Sequence, residues 1–311
     1  MGIPSYFSTI KRKYAKHYNE WMTNELSTHT DCKHLYVDMN GIVHTCAQRI
    51  VRLYETYLIQ TYRSLSHTQL QQLVQVQSET IFDTVLQPYI FKSIWSELQN
   101  LLDTVKPTEL MFLALDGVAP RAKMEQQRQR RHRSVCDTAI EQTIYNRHQT
   151  AHLRGLLWDS NCVTPGTTFM TALATFMHSQ IQHTHSNTSS TCKIHFSDTN
   201  EHGEGEHKIL EHMRTYASLH EGDEPTTQNK RQSAFVLYGQ DADLIMLGLA
   251  FISQHNIPFY LLRESIPSTP HHKKDNVNET VDEEMKSESV IHYCSVDDSS
   301  ALFSWMIPAE T

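Results

Sequence analysis

The chain has 311 residues, 39% of them apolar, and a formal net charge of −8, which leaves room for one large domain or two small ones. No run approaches the roughly eighteen apolar residues of a membrane span. The start, Met1-Gly2-Ile3-Pro4-Ser5-Tyr6-Phe7, lacks a secretory pattern, and Tyr6 stands where a myristoylation signal needs Ser or Thr. The expectation is a soluble, intracellular protein with no membrane partner. Six cysteines lie scattered without close pairing (Cys32, Cys46, Cys136, Cys162, Cys192, Cys294), which argues against zinc knuckles and a disulfide scaffold. The histidine pairs His183/His185 and His271/His272 sit in polar stretches and read as ordinary.

In chain order, short apolar runs alternate with longer helical spacings. Strands are expected at 34–38, 110–116, 193–197, 234–239 and 258–263, and helices at 79–104, 122–151, 167–182, 204–217 and 242–254. Such alternation implies an α/β fold with a mostly parallel central sheet covered by helices. Thr164-Pro165-Gly166 reads as a helix cap with proline in the first turn. Residues 183–191 and 220–233 read as surface loops. Residues 265–289, with Pro267, Pro270 and many acids, read as a polar, unstructured insertion. A strand at 290–294 and a short helix at 299–305 follow.

Charge is unevenly placed. Residues 121–133 hold Arg121, Lys123, Arg128, Arg130, Arg131 and Arg133 against the single acid Glu125, which suits a local anion site on an acidic protein. Lys123, Gln127, Arg130 and Arg131 stand at i, i+4, i+7 and i+8, so at about 100° per residue they share one helix face. Such a face suits a terminal phosphate, since arginine donates in a fork and lysine adds a point charge. The plainer alternative is a solvated basic face, the role expected of Arg128 and Arg133.

Carboxylates follow the expected strands. Asp38 closes the first, Asp116 the second, and Asp241 and Asp243 come just after the fourth. The ends of parallel strands share one edge, where ligands bind in open α/β folds. Glu204 and Glu206 join from Gly203-Glu-Gly-Glu-His207, whose glycines allow close backbone approach. Each acid alone also fits a turn, a cap or a first helical turn. Six together would repel unless cations intervened, and an all-oxygen set selects Mg²⁺ or Mn²⁺. Two such ions about 4 Å apart form the clamp used for hydrolysis of a phosphodiester. His44 either stacks on a base or simply caps and packs.

Several of these words also resemble a known family. Met1–Phe7, Val37-Asp-Met-Asn-Gly-Ile-Val-His44, Leu115-Asp-Gly-Val-Ala-Pro-Arg-Ala-Lys-Met124 and Gln126–Arg133 are similar to the N-terminal region of XRN-family 5′→3′ exoribonucleases. So are Asp159–Thr167, Gly203–Ile209 and Leu237–Gly248, in the family's order over residues 1–264. The resemblance implies a PIN-like, flap-nuclease type of domain. It implies that Asp38, Asp116, Glu204, Glu206, Asp241 and Asp243 hold two catalytic metals. It implies a 5′-monophosphate pocket of Lys123, Gln127, Arg130 and Arg131, with His44 stacking on the first base. The substrate would be single-stranded RNA with a 5′-monophosphate, such as decapped messenger RNA, and the cytoplasm is favoured over the nucleus.

The resemblance also implies further aspartates and an aromatic partner for His44 in a segment beyond about residue 264. Residues 290–311 read as the start of a truncated, helical second region. The expectation is therefore an exoribonuclease of reduced activity on its own, with a separate C-terminal segment as a candidate partner. The alternatives are a non-catalytic module binding 5′-phosphate RNA, or a fragment of a split or incomplete nuclease gene.

Overall fold

A computed structural model of the chain describes residues 22–23, 30–148, 153–187, 192–220, 232–241, 243–255, 257–265 and 290–295. Its strands are β1 (Met22–Thr23), β2 (Thr30–Asp38), β3 (Leu110–Ala114), β4 (Lys193–Ser197), β5 (Gln232–Tyr238), β6 (Phe259–Ser265) and β7 (Val290–Ser295). Its helices are α1 (Met39–Thr61), α2 (His67–Ile81), α3 (Gln87–Val105), α4 (Arg121–Arg147), α5 (Arg154–Leu157), α6 (Thr168–Asn187), α7 (Gly205–Leu219) and α8 (Asp243–Ile252). The strand order is β1-β7-β6-β5-β2-β3-β4. β6, β5, β2, β3 and β4 form a five-stranded parallel sheet flanked by helices, the α/β class expected. β7 runs antiparallel to β6, and β1 antiparallel to β7. Among the described residues no helix is long and apolar enough to cross a membrane.

The chain divides into two compact units: Met1–Val37, Pro107–Leu110 and Leu210–Thr311 form the first, Asp38–Lys106 and Met111–Ile209 the second. In the first, β2 and β5 pair from Thr30 opposite Gln232 to Val37 opposite Tyr238, and bury Leu35, Tyr36, Phe235 and Val236. Phe251 of α8 and Phe259 of β6 complete this aromatic core.

His34 lies inside that core, 2% exposed. It is stacked on Phe235 at 4.8 Å and edge-on to Tyr216 at 4.3 Å. Its Nδ1 is 3.0 Å from the Tyr36 hydroxyl, which in turn lies 3.2 Å from His212 Nδ1. Burial drives its pKa from 6.5 down to about 4, although Glu109, with a carboxylate oxygen 3.5 Å from Nε2, pulls the other way. The imidazole is thus neutral in the fold, while the unfolded chain takes up a proton below about pH 6.5. Stability contributed by neutral His34 is therefore lost as pH falls from 6.5 towards 4. Urea denaturation at pH 7 and pH 5 should show a lower midpoint at pH 5. His34→Gln, which cannot titrate, should shrink that difference. An equal pH dependence in the variant would remove His34 as its source.

The second unit holds the helices that sequence periodicity only partly revealed. α1 begins at Asp38, whose side chain accepts from the Asn40 N–H at 3.3 Å, and buries Met39, Ile42, Val43, Cys46, Ala47, Val51 and Leu58 along one stripe. α2 opens with a capping box of Ser66 and Gln69, then passes through a π-helical turn (Phe82–Leu86) into α3. Neither α1 nor α2 before residue 79 was expected. Gly41 and the β-branched Ile42, Val43 and Thr45 are poor helix formers, and burial of the stripe overrides them. α3 buries Ile90, Phe91, Ile94, Leu98, Leu101 and Val105 and packs against α1.

Other expectations need correction. Residues 183–187 are helix, not loop. Thr184 and Ser186 direct their hydroxyls to the carbonyls of Gln180 and Gln182, which lets these polar residues continue α6. Pro165 is not in the first helical turn, because α6 starts at Thr168 and the Thr167 hydroxyl caps it by accepting from the Met170 N–H at 3.3 Å. Gly166, at φ +87°, makes the turn before it. Residues 232–233 and 265 belong to strands rather than to the loop and the insertion. Residues 188–191, 221–231, 266–289 and 296–311, with the expected helix at 299–305, lie outside the described residues.

Candidate active site

Four of the six expected carboxylates meet in the second unit, around Gly205. Gly205 opens α7 between Glu204 and Glu206, and its N–H donates to Asp116 Oδ1 at 2.7 Å. A Cβ on Gly205 would stand 3.2 Å from Asp38 Oδ1, 3.4 Å from the Ala114 carbonyl oxygen and 3.5 Å from Asp116 Oδ1. A side chain here would crowd the Asp38 carboxylate, which would have to shift by a few tenths of an ångström. Asn40 links the same pair, since its N–H donates to Asp38 and its side-chain oxygen accepts from the Asp116 N–H at 3.4 Å.

The turn after β3 is joined to the loop after β4 by backbone hydrogen bonds. Leu115 N–H donates to the Ser197 carbonyl, Gly117 N–H to that of Gly203, and Gly203 N–H to that of Val118. Here again the sequence permits close approach, because a Cβ on Gly117 would fall 1.7 Å from the Glu201 carbonyl oxygen.

In the electrostatics of the site, burial and a neighbouring carboxylate act against a backbone N–H and two ammonium groups. Burial raises the Asp116 pKa above the usual carboxylate range. The Gly205 N–H opposes that rise, the negative Glu204 adds to it, and Lys123 and Lys208 oppose it again. Glu204 is itself only 6% exposed. Its Oε2 lies 2.7 Å from Lys123 Nζ, its Oε1 accepts from Gln127 Nε2 at 3.4 Å, and Glu206 is 3.9 Å from the same ammonium. Burial alone would lower the Lys123 pKa, but the hydrogen bond and charge of Glu204, with Glu206 and Asp116 behind it, raise it.

Two residues of the expected α4 face reach the carboxylates: Lys123 contacts Glu204 and Glu206, and Gln127 contacts Glu204. Arg131 is half-buried and Arg130 exposed, and neither makes an ion pair with a described residue. Arg128 and Arg133 pair instead with Glu125 and Asp137 on their own helix, as solvated residues do. His44 is half-buried, and burial followed by the positive charge of Arg130 holds its pKa below the ordinary value. Asp241 and Asp243 belong to the first unit. Asp241 is exposed after β5 and Asp243 begins α8, while the Arg263 guanidinium donates to the carbonyls of Gln240 and Asp241.

Three neighbours escaped the reading of the sequence: His207, Asn40 and Lys208. His207 Nδ1 lies 3.8 Å from Glu204 and 3.7 Å from Glu206, and ligand atoms of the three fall within 4.8 Å of one another. A histidine directly after the second glutamate, on the first turn of a helix, is the signal that marks it. The oxygen-rich donor set, with Glu204 buried and Asp38, Asp116 and Glu206 half-buried around Gly205, fits a hard divalent cation.

The chain is also similar to known proteins. 5′-3′ exoribonuclease 2 of Schizosaccharomyces pombe is 34% identical over 296 residues, which cover 86% of this chain and 26% of that protein. 5′-3′ exoribonuclease 1 of Homo sapiens is 34% identical over 276 residues, covering 86% of this chain and 13% of that protein. 5′-3′ exoribonuclease 2 of Candida glabrata is 30% identical over 334 residues, covering 98% of this chain and 29% of that protein. The chain therefore spans less than a third of the length of each of these relatives. Residues 1–265 match the model of the XRN 5′-3′ exonuclease N-terminus, and the chain belongs to that family.

Proposed function

We propose that the chain carries the metal-binding core of a 5′→3′ exoribonuclease acting on single-stranded RNA with a 5′-monophosphate. The observation behind this reading is the gathering of Asp38, Asp116, Glu204 and Glu206 around Gly205, with Lys123 and Gln127 of α4 on Glu204. The names of the relatives, all exoribonucleases, support the reaction class. Mg²⁺ or Mn²⁺ is the proposed cofactor, and Asp241 and Asp243 are proposed as further ligands on the family likeness alone. A pair of such cations, when bound, supplies the activated water and the charge stabilisation of phosphodiester hydrolysis. Asp38, Asp116, Glu204 and Glu206 bind it; Asn40 and Gly205 orient two of them. Arg130 and Arg131 hold the terminal phosphate, and neutral His44 offers its ring to the first base.

The test compares 5′-phosphorylated with 5′-hydroxyl single-stranded RNA in single-turnover decay with Mg²⁺. The phosphorylated strand should decay at least about tenfold faster, since a charge-assisted hydrogen bond contributes about 1.5–3 kcal/mol. Arg130→Ala with Arg131→Ala should erase most of that preference. Equal use of both ends by the unaltered protein would reduce the face to solvated charge. Tight binding of phosphorylated RNA without shortening, in Mg²⁺ and in Mn²⁺, would support a non-catalytic RNA-binding module instead.

A further inference from the structure

Lys208 is a buried cation that neither the metal reading nor the phosphate reading uses. It sits on the first turn of α7, four residues after Glu204 and two after Glu206, and is 7% exposed. Its Nζ donates to the Leu115 carbonyl at 2.9 Å and to the Asp198 carbonyl at 2.6 Å. Among the described residues its ammonium forms no ion pair within 4.0 Å. Lys123 is the contrast, since its ammonium lies directly on Glu204 and near Glu206.

The two carbonyls occupy informative places. Leu115 is the residue before Asp116, and Asp198 starts the loop that leads to Glu204. Lys208 therefore binds the ends of two neighbouring chain segments at the points where each begins to carry site carboxylates. It brings positive charge near Asp116 while leaving the carboxylate oxygens to other partners. The backbone bonds of Leu115, Gly117 and Gly203 join the same segments, but a backbone ladder alone adds no charge.

We infer that Lys208 is a positioning residue for the proposed metal site, an inference that rests on the metal reading above. Its ammonium sets the separation of Asp116 from Glu204 and Glu206, and so the fit of the site to a cation smaller than Ca²⁺ that takes six oxygen ligands. A larger cation with looser geometry, such as Ca²⁺, tolerates a wider spread of ligands. Loss of Lys208 should therefore weaken binding of the smaller ion selectively, which general destabilisation of the fold would not do.

The experiment is calorimetric titration of the full chain with Mn²⁺ and separately with Ca²⁺, at a temperature well below the melting point. Lys208→Met keeps the length and removes the charge and donors. It should weaken Mn²⁺ binding about 10–100-fold, the range for groups that orient metal ligands, and Ca²⁺ binding less than about threefold. Lys208→Arg, which keeps charge and donors, should retain most of the Mn²⁺ affinity. It also serves if the methionine variant does not fold: an arginine variant that folds yet loses Mn²⁺ and Ca²⁺ affinity equally would overturn the inference. So would a methionine variant with unchanged Mn²⁺ affinity, or with both ions weakened alike. Failure of the unaltered protein to bind either ion, or binding that survives Glu204→Gln with Glu206→Gln, would instead overturn the metal reading itself.

Discussion

Replacing Asp116 by asparagine is expected to cut RNA hydrolysis by on the order of 1,000-fold, about 4 kcal/mol of transition-state stabilisation. The carboxylate is half-buried and receives the Gly205 N–H, so an amide in its place puts an NH₂ group or a neutral oxygen where a cation needs negative charge. The thermal response should change in the same direction. Mn²⁺ stabilises the unaltered protein because it binds the folded form, and that rise in melting temperature should vanish in Asp116→Asn. Without added metal the variant should be as stable as the parent or more so. Burial and the charge of Glu204 already push the Asp116 pKa up, and removing the charge relieves both. The measurements are single-turnover decay of a 5′-phosphorylated oligomer and melting curves with and without Mn²⁺. A variant that keeps its rate and its Mn²⁺ response would show that Asp116 serves the fold and not the chemistry.

Gly117→Ala is expected to have the largest effect on stability among single substitutions near the site. The added methyl group would stand 1.7 Å from the Glu201 carbonyl oxygen and 2.9 Å from its carbon, so backbone must move. Movement there strains the bonds between Gly117, Val118 and Gly203 that hold the Glu204 loop. The loss should reach the upper end of the roughly 1–3 kcal/mol typical of overpacking, or exceed it, with loss of Mn²⁺ binding. Gly205→Ala is the instructive comparison. Its closest contact, 3.2 Å, is to the end of the Asp38 side chain, which can rotate by a few tenths of an ångström. It should cost little stability yet weaken metal binding, because the carboxylate moves instead of the backbone. Denaturation midpoints and Mn²⁺ titrations of both variants test this. A Gly117→Ala protein as stable as the parent would mean that the two loops are not held as tightly as their geometry requires.

Much of the site was legible because its signals are local. Asp38 and Asp116 follow apolar runs whose spacing marks strands, and Glu204 and Glu206 flank a glycine at a helix start. Lys123, Gln127, Arg130 and Arg131 share a face by helical arithmetic alone. Where local signals misled, tertiary burial was the cause in one case and side-chain bonding within the helix accompanied the other. α1 forms despite Gly41 and its β-branched neighbours because its apolar stripe is buried, and 183–187 stays helical because Thr184 and Ser186 bond back to their own helix.

The sequence by itself therefore determined the parallel α/β class, the family, the candidate carboxylates and the basic helix face, since each rests on residue chemistry at short spacing. Tertiary structure alone decided how those parts engage. Lys123 lies on Glu204 across 81 positions, the Asp116 N–H reaches Asn40 across 76, and Lys208 reaches the Leu115 carbonyl across 93. The physical reason is that a charge's partner depends on which strand ends and helix starts the fold brings within a few ångströms. No periodicity along the chain records that distance.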